Sequence, residues 1–445
     1  MACKTFRGGI HPHDGKSLAA GAAITKVDPG TELVYLMNQH IGAPAVPSVA
    51  VGDRVLAGQT IATAGGFVSA NILASVSGTV KAVAPHLCQN GDSAMAVTVE
   101  NDGLYETVPG YGEERDYTTM TKEEIIAAIK DAGIVGMGGA GFPTHVKLTV
   151  REGLRIDYVL VNGAECEPYI TCDYRLMLEK TELAVLGMKV LLRLFPDAVG
   201  VFGIENNKPA GIKALETVLA GGKRITVQTL KKKYPQGGER SLIRAVTGRK
   251  INAKMLPADA GCVVCNFSTV IAIAEAVCYQ RPLLPRVVTV TGDAITNPSN
   301  FEVPIGTNVN ALIEAAGGYR EEPTKVIFGG PMMGAAVYVT DLPVTKTTSC
   351  ILAMAKEQMG IYAPEECIRC GKCLSVCPEH LMPIKLKNAA DAGDLAEFER
   401  MNGLECIGCG CCTYVCPAKR RLSPSITATK NQVLAEKKKA TVKKS

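Results

Sequence analysis

Apolar positions recur at helical spacing in part of this chain and in short, turn-bounded runs elsewhere. Residues 121–133 read TKEEIIAAIKDAG: a threonine, a glutamate three residues on, apolar residues at Ile125, Ile126 and Ile129, and a closing glycine. Threonine and glutamate at that spacing form a capping box, which satisfies free N–H groups at a helix start and predicts a helix over 122–132. Beyond it, apolar runs alternate with helical patterns: IDYVLVNGA (156–164), a helix near 176–195, VGVFGIE (199–205), a helix near 208–220, and RITVQTL (224–230). That alternation predicts an α/β domain with a mostly parallel sheet, ending near Gln280. Residues 1 to about 110 instead show short apolar runs between valine-, glycine- and proline-rich turns, a β pattern. The stretch RVVTVTGDAITNPSNFEVPIGTNVNALIEAAGG (286–318) combines a β-rich start, a turn cluster and one short helix, as in a small β-grasp unit. Near the C-terminus, IKLKNAADAGDLAEFERMNGL (384–404) is helical in pattern.

A chain of 445 residues exceeds what one core supports, so a multidomain α/β protein is expected. The expected division is a barrel-sandwich-like β domain (1–115), the α/β domain (116–284), the β-grasp domain (285–348), a cysteine-rich helical module (349–425) and a tail (426–445). In the first domain, VGDRVLAGQTIA (51–62) and ASVSGTVKAV (74–83) resemble the barrel-sandwich fold of lipoyl and biotinyl domains. Those domains present a modifiable lysine between two such strands. No lysine occurs between Arg54 and Lys81, so a structural domain is expected rather than a swinging arm. The tail, KNQVLAEKKKATVKKS, carries six lysines against one glutamate and reads as a solvated, disordered segment. Its functional alternative is a contact with anionic lipid or an acidic partner.

The net charge of +5 is modest and spread along the chain, which argues against nucleic-acid binding. No apolar stretch approaches the length of about 18 residues that marks a membrane span. The best candidate, LAVLGMKVLLRLF (183–195), carries Lys189 and Arg193. The first residues lack the apolar core of a signal peptide. Seventeen cysteines without a secretion signal point to metal or cluster ligation rather than to disulfides.

Nine of the cysteines lie beyond residue 366. Cys367-x2-Cys370-x2-Cys373-x3-Cys377-Pro378 recurs 39 residues later as Cys406-x2-Cys409-x2-Cys412-x3-Cys416-Pro417. This is the ligand run of bacterial ferredoxins, in which the fourth cysteine binds the other cluster. One [4Fe–4S] centre is therefore assigned to Cys367, Cys370, Cys373 and Cys416. The second is assigned to Cys406, Cys409, Cys412 and Cys377. Zinc knuckles would not explain two full sets with proline in register. Cys411 is an extra cysteine not counted as a ligand, and the lone pair Cys262/Cys265 is expected to be structural.

In GMGGAGFPTHVK (136–147), Gly136, Gly138 and Gly141 satisfy the G-x-G-x-x-G fingerprint of dinucleotide folds. That fingerprint must follow a strand and open a helix, whereas here a helix precedes it and Pro143 follows closely. What remains is an anion site: backbone N–H groups of consecutive glycines, with the Lys147 charge, suit a single phosphate such as that of FMN. A tight turn between packed elements is the competing reading. NGAECEPY (162–169) clusters an amide and two carboxylates at a strand's carboxyl end, where ligands bind in open α/β sheets. Tyr234-Pro-Gln-Gly-Gly238-Glu239 adds a ring and another acid, and Asn266 and Thr269 add neutral hydrogen-bonding groups.

These four segments resemble the flavin- and NADH-binding subunit of respiratory complex I. The order of blocks is closer to a second family, the C subunit of the Rnf electron-transport complex. FRGGIHPHDGK, QHIGAPAVPSVAVGD, GGAGFPTHVK, NGAECEPYIT, VTGDAITNP, GGPMMG and both cysteine motifs are similar to that family over residues 6–425. The resemblance implies a flavin/NADH-binding α/β domain, an SLBB-like β-grasp domain and a di-cluster ferredoxin domain. It implies FMN phosphate contacts at Gly136, Gly138, Gly139 and Lys147, with Gly141 counted among the cofactor-binding residues, and ring contacts at Asn162, Asn266 and Thr269. Tyr234, Gly238 and Glu239 would flank flavin and nucleotide, Glu167 would lie near the NADH ribose, and Phe142 would offer a stacking surface. Complex I has an aspartate where this chain has Ala164, and Glu165 is the residue available to compensate.

Flavin exchanges electrons with NAD(H) in pairs and with clusters singly, so no general acid or nucleophile is required. The family implies a peripheral, NAD-side subunit of a ferredoxin:NAD+ oxidoreductase coupled to sodium or proton transport. Its partners would be other subunits of the membrane complex, including a ferredoxin-like iron–sulfur subunit, at the cytoplasmic face of the cell membrane. Two rivals stay open: a soluble NADH-dependent reductase subunit serving a corrinoid or amino-acid reductase, and a flavin-free electron-relay module.

Overall fold

The computed structural model describes residues 3–220, 222–356 and 362–442. The first domain forms two small facing sheets. Glu32–Leu36, Ser93–Asn101, Gly78–Leu87 and Arg54–Val55 pair antiparallel in one, and Val46–Pro47, Thr60–Thr63 and Ile72–Leu73 in the other. Leu33, Tyr35, Val55, Ile61, Val80, Val97 and Val99 fill the space between them. This is the expected barrel sandwich. Two segments of the expected 1–115 unit serve other domains. Lys4 bridges to Leu230 and Ile10 to Tyr234, so the first residues run across the α/β domain. Ile24–Lys26 pairs in parallel with Ser299–Pro304 in the third domain.

The α/β domain opens with α1 (Lys122–Asp131), whose capping box joins Thr121 and Glu124 reciprocally. After α2 (Thr144–Leu148) come β1 (Tyr158–Gly163), α3 (Cys172–Glu179), α4 (Thr181–Leu194), β2 (Val199–Glu205), α5 (Pro209–Val218), β3 (Ile225–Leu230), α6 (Glu239–Thr247), β4 (Cys262–Asn266) and α7 (Phe267–Tyr279). The four strands are parallel in the order β3-β2-β1-β4. Val159, Leu160 and Val161 are buried in succession, because helices cover both faces of such a sheet. The one helix expected near 176–195 is two. Lys180 leaves helical geometry at φ −131° and sends its ammonium to Glu302, 2.7 Å away in the third domain.

The third domain is a six-stranded mixed sheet backed by the helix Val309–Ala315. Its strand Cys350–Met354 lies past the expected end at 348, yet pairs with both Pro285–Thr291 and Lys325–Phe328. The cysteine-rich module is helical, with Pro383–Asp391 and Leu395–Arg400 between the motifs. The tail departs from expectation: Leu422–Val442 is one helix rather than a disordered segment. Leu422, Ile426 and Val433 give it an apolar stripe that packs with Leu386, Ala389 and Phe398. Its lysine content masked that stripe in composition; residues 443–445 lie outside the described residues.

One buried cation ties three domains together. The Lys346 ammonium donates to the carbonyls of Asn71 in the barrel and Gly133 after α1, and its backbone N–H donates to Gln39 Oε1. Among the described residues no carboxylate pairs with it, and burial pushes it down to about 7. An unfolded lysine keeps its proton to about pH 10.4, so between these values the unfolded chain binds more protons and stability rises with pH. The unfolding free energy of the wild type minus that of Lys346→Met should therefore increase from pH 7 to pH 9, by up to roughly 1.4 kcal/mol per pH unit. Anaerobic urea unfolding at the two pH values measures it, and a constant difference would contradict the burial argument.

Candidate functional site

The glycine-rich loop closes on itself. Val135 bridges to Pro143, Gly136 N–H donates to Phe142 O at 2.9 Å, and Thr144 N–H to Ile134 O at 3.0 Å. Its tip is exposed at Gly138, Gly139 and Ala140, which leaves backbone N–H groups free to meet a ligand. The glycines do different work. A side chain on Gly139 would enter open space, whereas one on Gly138 would stand 2.7 Å from Asn266 Nδ2. Gly141 has φ +70°, and a Cβ there would meet Thr347 Cγ2 at 2.9 Å.

Two anchors hold this loop. Met137 N–H donates to Thr269 Oγ1 at 3.0 Å on α7. From the third domain, the buried Arg286 guanidinium reaches Met137 Sδ at 3.0 Å and Thr348 O at 3.1 Å. Asn266 caps α7, accepting from Thr269 N–H, and gives its amide to Asp173 Oδ2 at 2.6 Å. Asn266 and Thr269 thus sit beside the loop with side chains already bonded inside the protein. Lys147 donates to Val264 O at 2.8 Å and pairs with Glu239 at 3.4 Å, so α2 and the start of α6 meet at one partly exposed cation.

At the carboxyl end of β1, Asn162 donates to Gly237 O at 2.7 Å and accepts from Ala164 N–H. Gly237 N–H donates to Cys166 Sγ at 3.2 Å. The strand end and the Tyr234–Glu239 loop are therefore one surface, with Gly238 capping α6. Glu165 does not face it. At φ +45° it turns inward, where Oε1 accepts from Asp173 N–H at 2.7 Å and Oε2 lies 3.6 Å from Lys16. Burial raises its pKa, opposed by Lys16 and Lys208. It caps α3, so it does not stand in for the aspartate replaced by Ala164, which is itself fully buried. Glu167 is also withdrawn: Oε1 accepts from the N–H groups of Met332 and Met333 at 2.6 and 3.0 Å. Phe142 is half-buried at the loop's end.

Tyr234 faces away from solvent, 2% exposed, its hydroxyl without a partner. It packs with Ile10, Cys409 and Cys411, and with Cys166 and Met332 at the margin. Behind it lies a cavity lined by Cys377, Cys406, Cys409, Cys411 and Cys412, with Pro378, Leu381, Leu386, Ile407 and Ile426. Cys377 thus leaves its own motif for the other. Cys373 has Cys416 and Cys367 as its thiol neighbours. Burial pushes Cys377 up to about 11 and Cys412 to about 12. Cys409 is shifted the other way, held below the usual thiol range by its hydrogen bond with Cys411. Deprotonation of the raised thiols is favoured by a bound cation, which suits iron ligation. Among the described residues no three His, Cys, Asp or Glu stand close enough for a single metal ion. Cys262 and Cys265 join separate clusters on opposite faces of β4.

Lys16, Asp173, Lys208 and Arg286 were not singled out in the sequence. Each is buried or nearly so, and each bonds groups far along the chain. A single charged residue carries no local sign of a partner so far along the chain.

Comparison with known proteins finds four matching families. They are described as RnfC barrel sandwich hybrid domain (residues 4–104), Nuo51 FMN-binding domain (129–275), SLBB domain (287–336) and 4Fe-4S dicluster domain (359–417). The C subunit of the Na(+)-translocating ferredoxin:NAD(+) oxidoreductase complex of Acetobacterium woodii is 44% identical over 435 residues, 98% of each chain. The C subunit of the proton-translocating ferredoxin:NAD(+) oxidoreductase complex of Clostridium ljungdahlii is 44% identical over 384 residues, 86% of this chain and 84% of that one. The C subunit of the ion-translocating oxidoreductase complex of Rhodobacter capsulatus is 41% identical, over 88% of this chain and 76% of that one. A crystal structure of NAD+-reducing [NiFe]-hydrogenase shares the fold, with TM-score 0.50 and 21% identity over 66% of this chain and 56% of that one.

The open space at Gly139 separates ligand contact from folding. Gly139→Val should fold with wild-type stability yet bind FMN more weakly, whereas Gly138→Val should lose stability against Asn266. If Lys147 also meets the FMN phosphate, Lys147→Ala removes a charge-assisted contact, which predicts about ten- to a hundredfold weaker FMN binding. Flavin fluorescence titration of the folded variants measures both. Normal FMN affinity in Lys147→Ala and Gly139→Val would leave the loop as a structural turn.

Proposed function

This chain belongs to the RnfC family, the C subunits of ion-translocating ferredoxin:NAD+ oxidoreductase complexes, and from that membership we propose how its residues route electrons. It is an NAD-linked oxidoreductase subunit that works with FMN, two [4Fe–4S] clusters and the other subunits of its complex. The soluble-reductase rival is not favoured, since relatives alike over nearly the whole length belong to such complexes. The flavin-free rival is disfavoured by the FMN-binding match over 129–275.

Bound FMN supplies the exchange between hydride transfer, two electrons at a time, and one-electron carriers. Gly136, Gly138, Gly139, Gly141 and Lys147 would hold its phosphate, on a loop that Thr269 and Arg286 keep from moving. Asn162 and the Gly237–Gly238 backbone would border the ring, and Asn266 would support that edge through the loop. Phe142 and Glu239 would flank the nucleotide at the exposed mouth. Every one of these side chains orients; none needs to move a proton.

The observation that carries the electron route is the packing of Tyr234 and Cys166 against Cys409. On this reading Cys377, Cys406, Cys409 and Cys412 would hold the cluster nearer the flavin. Cys367, Cys370, Cys373 and Cys416 would hold the farther one. Cys367 and Cys370 are exposed, so this end suits transfer to a partner's ferredoxin-like centre. Among the described residues no helix is long and apolar enough to cross a membrane. The reading assigns the ion path to other subunits and seats this one peripherally at the cytoplasmic face.

Anaerobic analysis should find about eight iron and eight acid-labile sulfide per chain. Cys377→Ala should abolish the signal of the nearer cluster, keep that of the farther one, and stop NADH from reducing it rapidly. Electron paramagnetic resonance after rapid mixing with NADH reads all three. Undiminished reduction of the farther cluster would reverse the proposed order.

A further inference from the structure

Glu167 stands at a strand end where a nucleotide ligand is expected, yet its carboxylate is spent elsewhere. Oε1 takes two successive N–H groups, from Met332 at 2.6 Å and Met333 at 3.0 Å. These belong to the loop GGPMMG (329–334) of the third domain, 165 residues away in sequence. The fit is close: a side chain on Gly330 would stand 2.0 Å from Glu167 Cγ. The other end of this contact reaches the cysteines. A Cβ on Gly410, between Cys409 and Cys411, would stand 3.3 Å from Met332 Cε. Met332 packs in the same apolar group as Ile10, Tyr234, Cys409 and Cys411.

We propose that Glu167 is a positioning residue: by pinning the 329–334 loop it holds Met332 as an apolar cover over the Cys409–Cys411 turn, and so helps set the potential of the nearer cluster. The inference rests on the reading of Cys377, Cys406, Cys409 and Cys412 as cluster ligands. The physical link is solvation. A reduced cluster carries one more negative charge than an oxidised one, and water stabilises that charge. A cover that excludes water keeps the potential low, and its loss raises it. The two N–H bonds need an acceptor oxygen rather than a full charge, so glutamine can replace glutamate while alanine cannot.

The test uses the full chain loaded with FMN and both clusters. Met332→Ala and Glu167→Ala should each raise the midpoint potential of the nearer cluster in a redox titration followed by electron paramagnetic resonance. Glu167→Gln should stay at the wild-type value. Met332→Ala should leave the KM for NADH unchanged with ferricyanide as acceptor. Should Glu167→Ala fail to load, Met332→Ala carries the test alone. Unshifted midpoints in fully loaded variants would overturn the proposal. A raised KM for NADH in Glu167→Ala with an unmoved midpoint would overturn it in favour of nucleotide contact. If the wild-type chain lacks a cluster at Cys377, Cys406, Cys409 and Cys412, the underlying reading fails instead.

Discussion

The contact of Tyr234 with the Cys409–Cys411 turn is the interaction on which the rest of the molecule turns. It joins a parallel sheet, whose strand ends gather polar groups, to a helical module whose cysteines line one buried cavity. Neither half has a reason to sit there alone. Ile10 packs against the tyrosine, and Met332 covers the same group from the third domain. Elements from four parts of the chain thus converge on one apolar group. Short separation is what one-electron transfer needs, and an apolar layer costs little reorganisation when charge crosses it.

Buried cations organise the surrounding scaffold. Lys16, Lys208, Arg286 and Lys346 all donate to backbone carbonyls, and two of them add a carboxylate at 3.6–3.8 Å. A carbonyl offers a fixed direction without a second charge to desolvate. Such cations can tie loops from different domains together while leaving the negative charge of the site to its ligands.

The parts legible in the sequence were those set by near neighbours. The Thr121–Glu124 box spans four residues, the cysteine runs span eleven, and β1 and β2 are mostly apolar runs. The opposite cases depended on distant partners. Lys180 breaks a helix because Glu302 lies across a domain boundary. Glu165 and Glu167 look like open-site acids until α3 and the 329–334 loop claim them. Leu422, Ile426 and Val433 are too sparse among lysines to announce a helix, and become one only against Phe398. The glycine loop was half legible: its phosphate-friendly backbone is local, but its rigidity comes from Thr269 and Arg286.

The first residues of the chain have a consequence for biogenesis. Gly9 N–H donates to Val376 O and Ile10 N–H to Tyr234 O, while Gly8 has φ +90° with Cys377 O 2.8 Å from its absent Cβ. The partners of this strap are made hundreds of residues later, so it can be seated only after they are present. Cys377 is proposed as a ligand of the nearer cluster, and the strap passes close to its carbonyl. The segment around Val376 must therefore be in place before this strap can dock, which makes its docking a late step of folding.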